Sequence, residues 1–162
     1  MMTVINFDEL YQKYGEMLYK IAFLYFGNSH DAEDALQEVF VKALQKLPNG
    51  TDEHQKAWLI RVTQNQCKDM LKRSENKNLC IDDVVLAGEC ENINNESRID
   101  ILQKIVKLSP KYKTAVILYY YYDYSVSQIA DTLKISQSSV KMRLKRGRDI
   151  LKLELEGYEN EI

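Results

Sequence analysis

Long apolar runs are absent from this 162-residue chain, and none approaches the roughly 18 residues that cross a bilayer. No membrane insertion is therefore expected. The opening stretch, MMTVINFDELYQKYGEM, has neither a basic start nor an uninterrupted apolar segment. It does not read as a signal peptide, so a cytoplasmic protein is expected. Cysteine and histidine are scarce. Cys67, Cys80 and Cys90 form no CxxC pair, and His30 and His54 are the only histidines. Reduced thiols, no metal site and no cofactor are expected of that pattern. No acid–histidine cluster marks a metal-dependent nuclease, and Cys67 with His54 lacks a third group to orient them. Internal repeats, alternating strand patterns and glycine-rich phosphate loops are missing as well.

What is present is enough apolar material for a core, with 45% hydrophobic residues. The length suits one domain or two small ones. Charge is unevenly spread. The net value is −2, yet residues 58–73 carry +3 and residues 125–153 carry +5, while residues 1–57, 74–98 and 154–162 each carry −4. Two basic islands in an acidic chain point to two separate contacts with one long polyanion.

The periodicity is helical nearly throughout. Phe7, Leu10, Tyr11, Tyr14, Leu18, Ile21, Ala22 and Tyr25 form one apolar face. A second helix starts near Asp31, with Ala35, Leu36, Val39, Phe40, Ala43, Leu44 and Leu47 as its face. PNGTDE (48–53) reads as a loop, and a third helix runs from about Glu53 to Arg73. Residues 74–98 are polar and acidic without aromatics, a linker with at most a short turn at Ile81–Leu86. Helices resume near Ile99, end at Leu108-Ser109-Pro110, and follow over 111–123, 125–133 and 136–155. The expected fold is all-α: a helical domain over 1–75, an acidic linker over 76–98, and a second helical domain over 99–158.

Both basic islands sit on amphipathic helices. At about 100° per residue, Val140, Leu144, Gly147 and Leu151 form a narrow apolar stripe on the last helix. Ser138, Lys141, Met142, Lys145 and Arg146 point away from it. Ser136 is placed as its N-cap, and Ser125 as the cap of the helix before, which packs through Ile129, Ala130 and Leu133. The turn is only Lys134-Ile135-Ser136, with Ile135 inward. These features describe a helix-turn-helix, whose cations meet phosphates and whose outer side chains reach base edges. The bland alternative is a solvated basic helix. On the third helix, Arg61, Asn65, Lys68 and Lys72 share one edge able to track a phosphate backbone, opposite Leu59, Val62, Thr63, Gln66 and Met70. Here the alternative is a plain amphipathic surface helix. Trp58 could be a stacking platform, though core packing is the favoured role.

Three stretches then line up with one family. DAEDALQEVFVKAL (31–44), AWLIRVTQNQCKDMLKR (57–73) and LSPKYKTAVILYYYYDYSVSQIADTLKISQSSVKMRLKRGRDIL (108–151) resemble, in order, segments of bacterial RNA polymerase sigma factors of the two-domain, extracytoplasmic-function group. Departures are few. Gln128 stands for Glu before Ile-Ala, Lys134 for the turn Gly, Met142 for a small residue on the groove face, and Gly147 for Ala. A left-handed Lys134 would cost about 1–2 kcal/mol, and Gly147 is expected to loosen the last helix.

The resemblance implies that core RNA polymerase is held through its beta-prime clamp helices by Asp31, Asp34, Gln37 and Glu38. Capping by Asp31 and Asp34 is the simple alternative for two of these, and both roles can hold together. It implies that the third helix and the 48–56 loop take the melted minus-ten strand, with Asn65 at a flipped base and Arg61, Lys68, Lys72 and Arg73 holding the backbone. Minus-thirty-five duplex DNA would meet Ser136, Gln137, Ser138, Ser139, Lys141, Met142, Arg143, Lys145 and Arg146, with Arg148 and Lys152 further along as the helix leaves the groove. The linker acids Asp82, Asp83, Glu89, Glu91 and Glu96 would enter the cationic RNA path of polymerase. An anti-sigma factor is a candidate regulatory partner. The expected function is promoter-specific transcription initiation without catalysis. A free-standing helix-turn-helix regulator remains the rival, although it leaves the DAEDALQE helix and the second basic island without purpose.

Overall fold

The computed structural model describes residues 6–73 and 102–159, with side chains as far as Lys152. The chain divides into two units, 1–78 and 79–162. Both are helical, with no strand among the described residues. The expected linker, with its five acids and the turn at Ile81–Leu86, lies outside the described residues.

The first unit is three helices, each packed on the other two. Helix α1 spans Phe7–Phe26. Asn6 opens it by accepting the Asp8 N–H at 3.0 Å. Gly27 closes it at φ 77°, a left-handed position that glycine takes without a Cβ penalty, and its N–H reaches the Phe23 carbonyl at 2.7 Å. Leu10, Tyr14, Leu18, Ile21, Ala22 and Tyr25 are buried as the periodicity requires. Phe7 and Tyr11 depart from it, at 43% and 49% exposure. They stand in the first turns of α1, where each ring covers buried Phe40 at 5.5 Å with one side and meets solvent with the other.

Helix α2 spans Ser29–Lys46, starting before Asp31 because Asn28 is the cap. Asn28 accepts the Asp31 N–H at 2.8 Å and donates its amide to the Asp31 carboxylate at 3.0 Å. Its core face runs through Ala32, Ala35, Leu36, Val39, Phe40 and Ala43, while Leu44 is 46% exposed rather than in the core. Helix α3 spans Asp52–Arg73. The Thr51 hydroxyl accepts the His54 N–H at 3.2 Å, so residues 52–56 belong to the first turn of α3 and the expected 48–56 loop shrinks to 48–51. That loop is tied down. Gln55 donates to the Pro48 carbonyl at 3.1 Å, Tyr14 to the Asp52 carbonyl at 3.2 Å, and Lys13 pairs with Asp52 at 2.7 Å.

In the second unit a short helix over 102–107 (α4) precedes α5, Pro110–Val116, which continues as a wider π-turned segment, Ile117–Tyr121. The single α-helix expected over 111–123 is thus interrupted: the Tyr122 N–H reaches the Ile117 carbonyl five residues back, at 3.3 Å. Residues 113–118 are all buried, which makes α5 the centre of this unit. Lys113 is among them, at 1% exposure, and its ammonium donates to the Val106 carbonyl at 2.8 Å. A cation there meets the negative end of α4.

Helices α6, Val126–Leu133, and α7, Gln137–Glu159, complete the unit. Ser125 and Gln128 form a reciprocal cap, with Ser125 Oγ accepting the Gln128 N–H at 3.0 Å and Gln128 Oε1 accepting the Ser125 N–H at 2.9 Å. Gln at 128 therefore caps as Glu would. Lys134 sits at φ 56°, ψ 48°, in the left-handed region. Gly147 stands at a close approach between helices. A Cβ built on it would lie 2.6 Å from Val116 Cγ2. Its bare backbone lets α7 approach α5, which a β-branched valine, stiff about χ1, could not yield to.

Two stability outcomes follow. Lys134→Gly should stabilise the protein by up to about 1 kcal/mol, because removing the Cβ penalty outweighs the added freedom of the unfolded chain. Gly147→Ala should destabilise it by about 1–3 kcal/mol despite the better helix propensity of Ala. Val116→Ala added to Gly147→Ala should cost less than the two single changes together. Urea unfolding of the unsubstituted protein and the four variants measures these outcomes, and strict additivity would contradict the close approach at Gly147.

Candidate nucleic-acid interface

Helix α7 owes its orientation to one buried stripe. Val140 and Leu144 are 0% and 5% exposed, Gly147 is buried and Leu151 half-buried. Gln137, Ser138, Lys141, Met142, Lys145 and Arg146 are consequently all exposed, and so are Arg148 and Lys152. Arg143 is half-buried at the margin. Ser136 caps the helix, accepting the Ser139 N–H at 3.1 Å and donating to Ser139 Oγ at 3.0 Å. The Ser139 hydroxyl is thus engaged locally, whereas Ser138 is open. The result is a cationic surface fixed on a rigid helix with its start capped, the form in which a helix enters a major groove.

One partner on this surface had no local signal in the sequence. The Tyr112 hydroxyl, on α5, accepts from Arg146 Nη1 at 3.5 Å. That hydrogen bond, with the added charge of Arg146, Lys111 and Arg143, holds the Tyr112 phenol below its usual 10.0. The pair is 34 residues apart, and only the packing of α5 on α7 brings it together.

On α3 the buried face is broader than expected and turned toward Ile60 and Cys67. Leu59, Ile60, Thr63, Gln64, Gln66 and Cys67 are buried, while Val62 and Met70 are only half-buried. The helix covers two neighbours at once, α1 and α2. Asn65 and Lys72 are exposed, and Arg61 and Lys68 half-buried, on one edge at i, i+4, i+7 and i+11. Desolvation lowers the Arg61 pKa, though a guanidinium remains charged. Trp58 is half-buried, fully neither core nor platform.

Arg73 leaves this edge. It lines a cleft of about 530 Å³ between α2 and α3, together with Asp34, Gln37 and Glu38. These three are exposed, whereas Asp31 is half-buried and held by the Asn28 cap. Asp34 lies 3.5 Å from His30. Of the capping alternative, then, Asp31 takes part in the cap and Asp34 pairs one turn back.

Residues 10–77 match the family described as Sigma-70 region 2, and residues 98–151 match Sigma-70, region 4. Among curated proteins, the ECF RNA polymerase sigma factor SigE of Mycolicibacterium smegmatis is 31% identical over 164 residues, and the match spans 96% of this chain but 64% of that longer protein. RNA polymerase sigma factor SigZ of Bacillus subtilis is 30% identical over 156 residues, covering 94% of this chain and 89% of its own. Two solved structures share the fold. One is the sigma factor RpoE of Bartonella quintana in complex with the anti-sigma factor NepR (TM-score 0.64, 19% identity, 93% of this chain and 96% of that one). The other is CnrH in complex with the cytosolic domain of CnrY (TM-score 0.65, 22% identity, 93% and 88%).

The Tyr112 hydroxyl should titrate below its ordinary value, and Arg146→Ala should raise its pKa toward that value. A carbon-13 NMR titration of ring-labelled tyrosine reads this directly. An unmoved Tyr112 resonance in the variant would contradict the contact.

Proposed function

The chain belongs to the extracytoplasmic-function RNA polymerase sigma factors, which direct promoter-specific transcription initiation, and from that premise we propose that it grips its promoter through two separate helical surfaces. The exposed arc of α7 reads minus-thirty-five duplex. Residues Ser136 to Ser139 lie at the groove entry, Lys141, Met142, Lys145 and Arg146 face base edges, and Arg143, Arg148 and Lys152 meet phosphates. The α3 edge takes the melted minus-ten strand, with Asn65 at an unstacked base and Arg61, Lys68 and Lys72 along the backbone. Capture in a pocket must offset unstacking, which costs a few kcal/mol per base. Core polymerase docks on α2 through Asp34, Gln37 and Glu38, with Asp31 supporting the helix start. The protein has no catalytic step of its own and works in the cytoplasm, where sigma factors meet polymerase. No described helix is long and apolar enough to cross a membrane.

The observation that carries this reading is the exposure of Lys141, Lys145, Arg146, Arg148 and Lys152 opposite a buried stripe of the same helix. An anti-sigma factor is a natural regulator, since both solved relatives were captured with a partner, named as an anti-sigma factor for RpoE. Run-off transcription with core polymerase on a promoter library tests the function as a whole. A free-standing regulator would bind DNA but fail to retain core polymerase.

Reading and gripping separate on α7. Arg146→Ala should change which minus-thirty-five sequences are preferred, losing about 1–3 kcal/mol of discrimination, while Lys152→Ala should weaken all sequences alike and lower the salt slope by about one. Holoenzyme binding to a randomised library at two salt concentrations measures both. The reverse pattern would mean that α7 sits in the groove differently. Reversing charge at Asp34 and Glu38 should weaken core binding with helical circular dichroism unchanged; equal affinity in the folded variant would remove that docking site.

A further inference from the structure

The seam between α5 and α7 delivers one aromatic side chain to the exposed arc of α7. A Cβ built on Gly147 would lie 3.8 Å from Tyr112 Cβ, besides its overlap with Val116. The bare backbone at 147 therefore lets the stem of Tyr112 stand beside α7. That stem is itself fixed, because the Tyr112 N–H donates to the Ser109 carbonyl at 3.0 Å and residues 113–118 after it are buried. From this base the half-buried ring extends to Arg146, the residue before Gly147, and its hydroxyl accepts from Nη1 at 3.5 Å. An exposed arginine otherwise samples many rotamers, and ordering such a chain on binding opposes affinity. A tyrosine places its hydroxyl with only two side-chain torsions, so it is a stiff post for a flexible neighbour.

The choice of nitrogen matters. A guanidinium carries five N–H donors in a planar fork. The Tyr112 contact engages Nη1, and among the described residues the edge formed by Nε and Nη2 makes no hydrogen bond. That edge is a complete two-donor fork, the pattern that meets the O6 and N7 acceptors of a guanine.

We propose that Tyr112 is a positioning residue for promoter reading: its hydroxyl holds the Arg146 guanidinium so that the Nε–Nη2 edge is presented to a base pair. The proposal rests on the reading of α7 as the groove helix, and it adds a residue from outside the helix-turn-helix. Sequence preference then depends on α5 as well as on α7. Tyr112 acts through Arg146 alone, by sparing it part of the ordering that binding requires.

The test is a double-mutant cycle of Tyr112→Phe and Arg146→Ala, with the full chain in holoenzyme binding a duplex library randomised over the minus-thirty-five element. Phenylalanine keeps the ring and its packing and removes only the hydroxyl. Tyr112→Phe should reduce discrimination at the base pair to which Arg146→Ala is sensitive, by up to about tenfold, and should have no further effect in the Arg146→Ala background. Nitrogen-15 relaxation of the arginine Nε–H groups in the free protein gives a readout that a packing defect would not move selectively. Arg146 should be more ordered than Arg148, and the difference should vanish in Tyr112→Phe. If Arg146→Ala alters the preferred sequence and Tyr112→Phe does not, the role of Tyr112 is wrong and the groove reading stands. If Arg146→Ala leaves the preference unchanged, the groove reading itself fails. An equal loss for every sequence in Tyr112→Phe, persisting without Arg146, would make the hydroxyl a phosphate contact and overturn the positioning role.

Discussion

Close contact between α7 and α5 is the constraint on which the second unit depends. Among its described side chains α7 buries one narrow stripe, which includes Val140, Leu144 and Gly147, against α5 and α6. Its seat is central α5, and the approach is close enough that a methyl group at 147 would overlap Val116. Because the stripe is narrow, the rest of the helix circumference is left to solvent. The cations are presented outward by exclusion, and no contact of their own is needed to aim them.

The turn before α7 shows how much this seating can support. Lys134 adopts a left-handed conformation that a glycine would take freely. Around it the fold supplies compensation: the Ser125–Gln128 cap, the Ile135 N–H on the Ala130 carbonyl at 3.1 Å, and the Ser136 cap. Each satisfies a backbone group that a helix end would leave open. A backbone cost at one residue is tolerated because its neighbours over-determine the turn.

The first unit solves a different problem with the same rule. Helix α3 must cover two neighbours, so its buried face is broad and includes Thr63, Gln64 and Gln66. The Thr63 hydroxyl donates to the Leu59 carbonyl at 2.8 Å and Gln66 Oε1 accepts from Lys42 at 2.7 Å, whereas Gln64 Oε1 is buried without a partner among the described residues. What remains outside divides into two strips with different neighbours. One is the basic edge of Arg61, Asn65, Lys68 and Lys72. The other belongs to the cleft with α2, and it takes Arg73.

By itself the sequence determined the helical class, the caps at Ser125 and Ser136, the buried stripe of α7 and the exposed arc opposite it. These are local matters: hydrophobic period, cap chemistry and turn length act within one or two turns of chain. The strained Lys134 was legible for the same reason. Tertiary structure decided what depends on who packs where. Gly147 looks like a weak point in an isolated helix and proves to be a close approach, because Val116 arrives from α5. Phe7, Tyr11 and Leu44 have the core period, yet they stay half-exposed, since periodicity marks a face and not whether a neighbour covers it. Tyr112 and Arg146 meet across 34 residues, and Arg73 joins Asp34 and Glu38 through the pairing of α2 with α3. A pattern in one helix holds no information about the residue that a second helix brings to it.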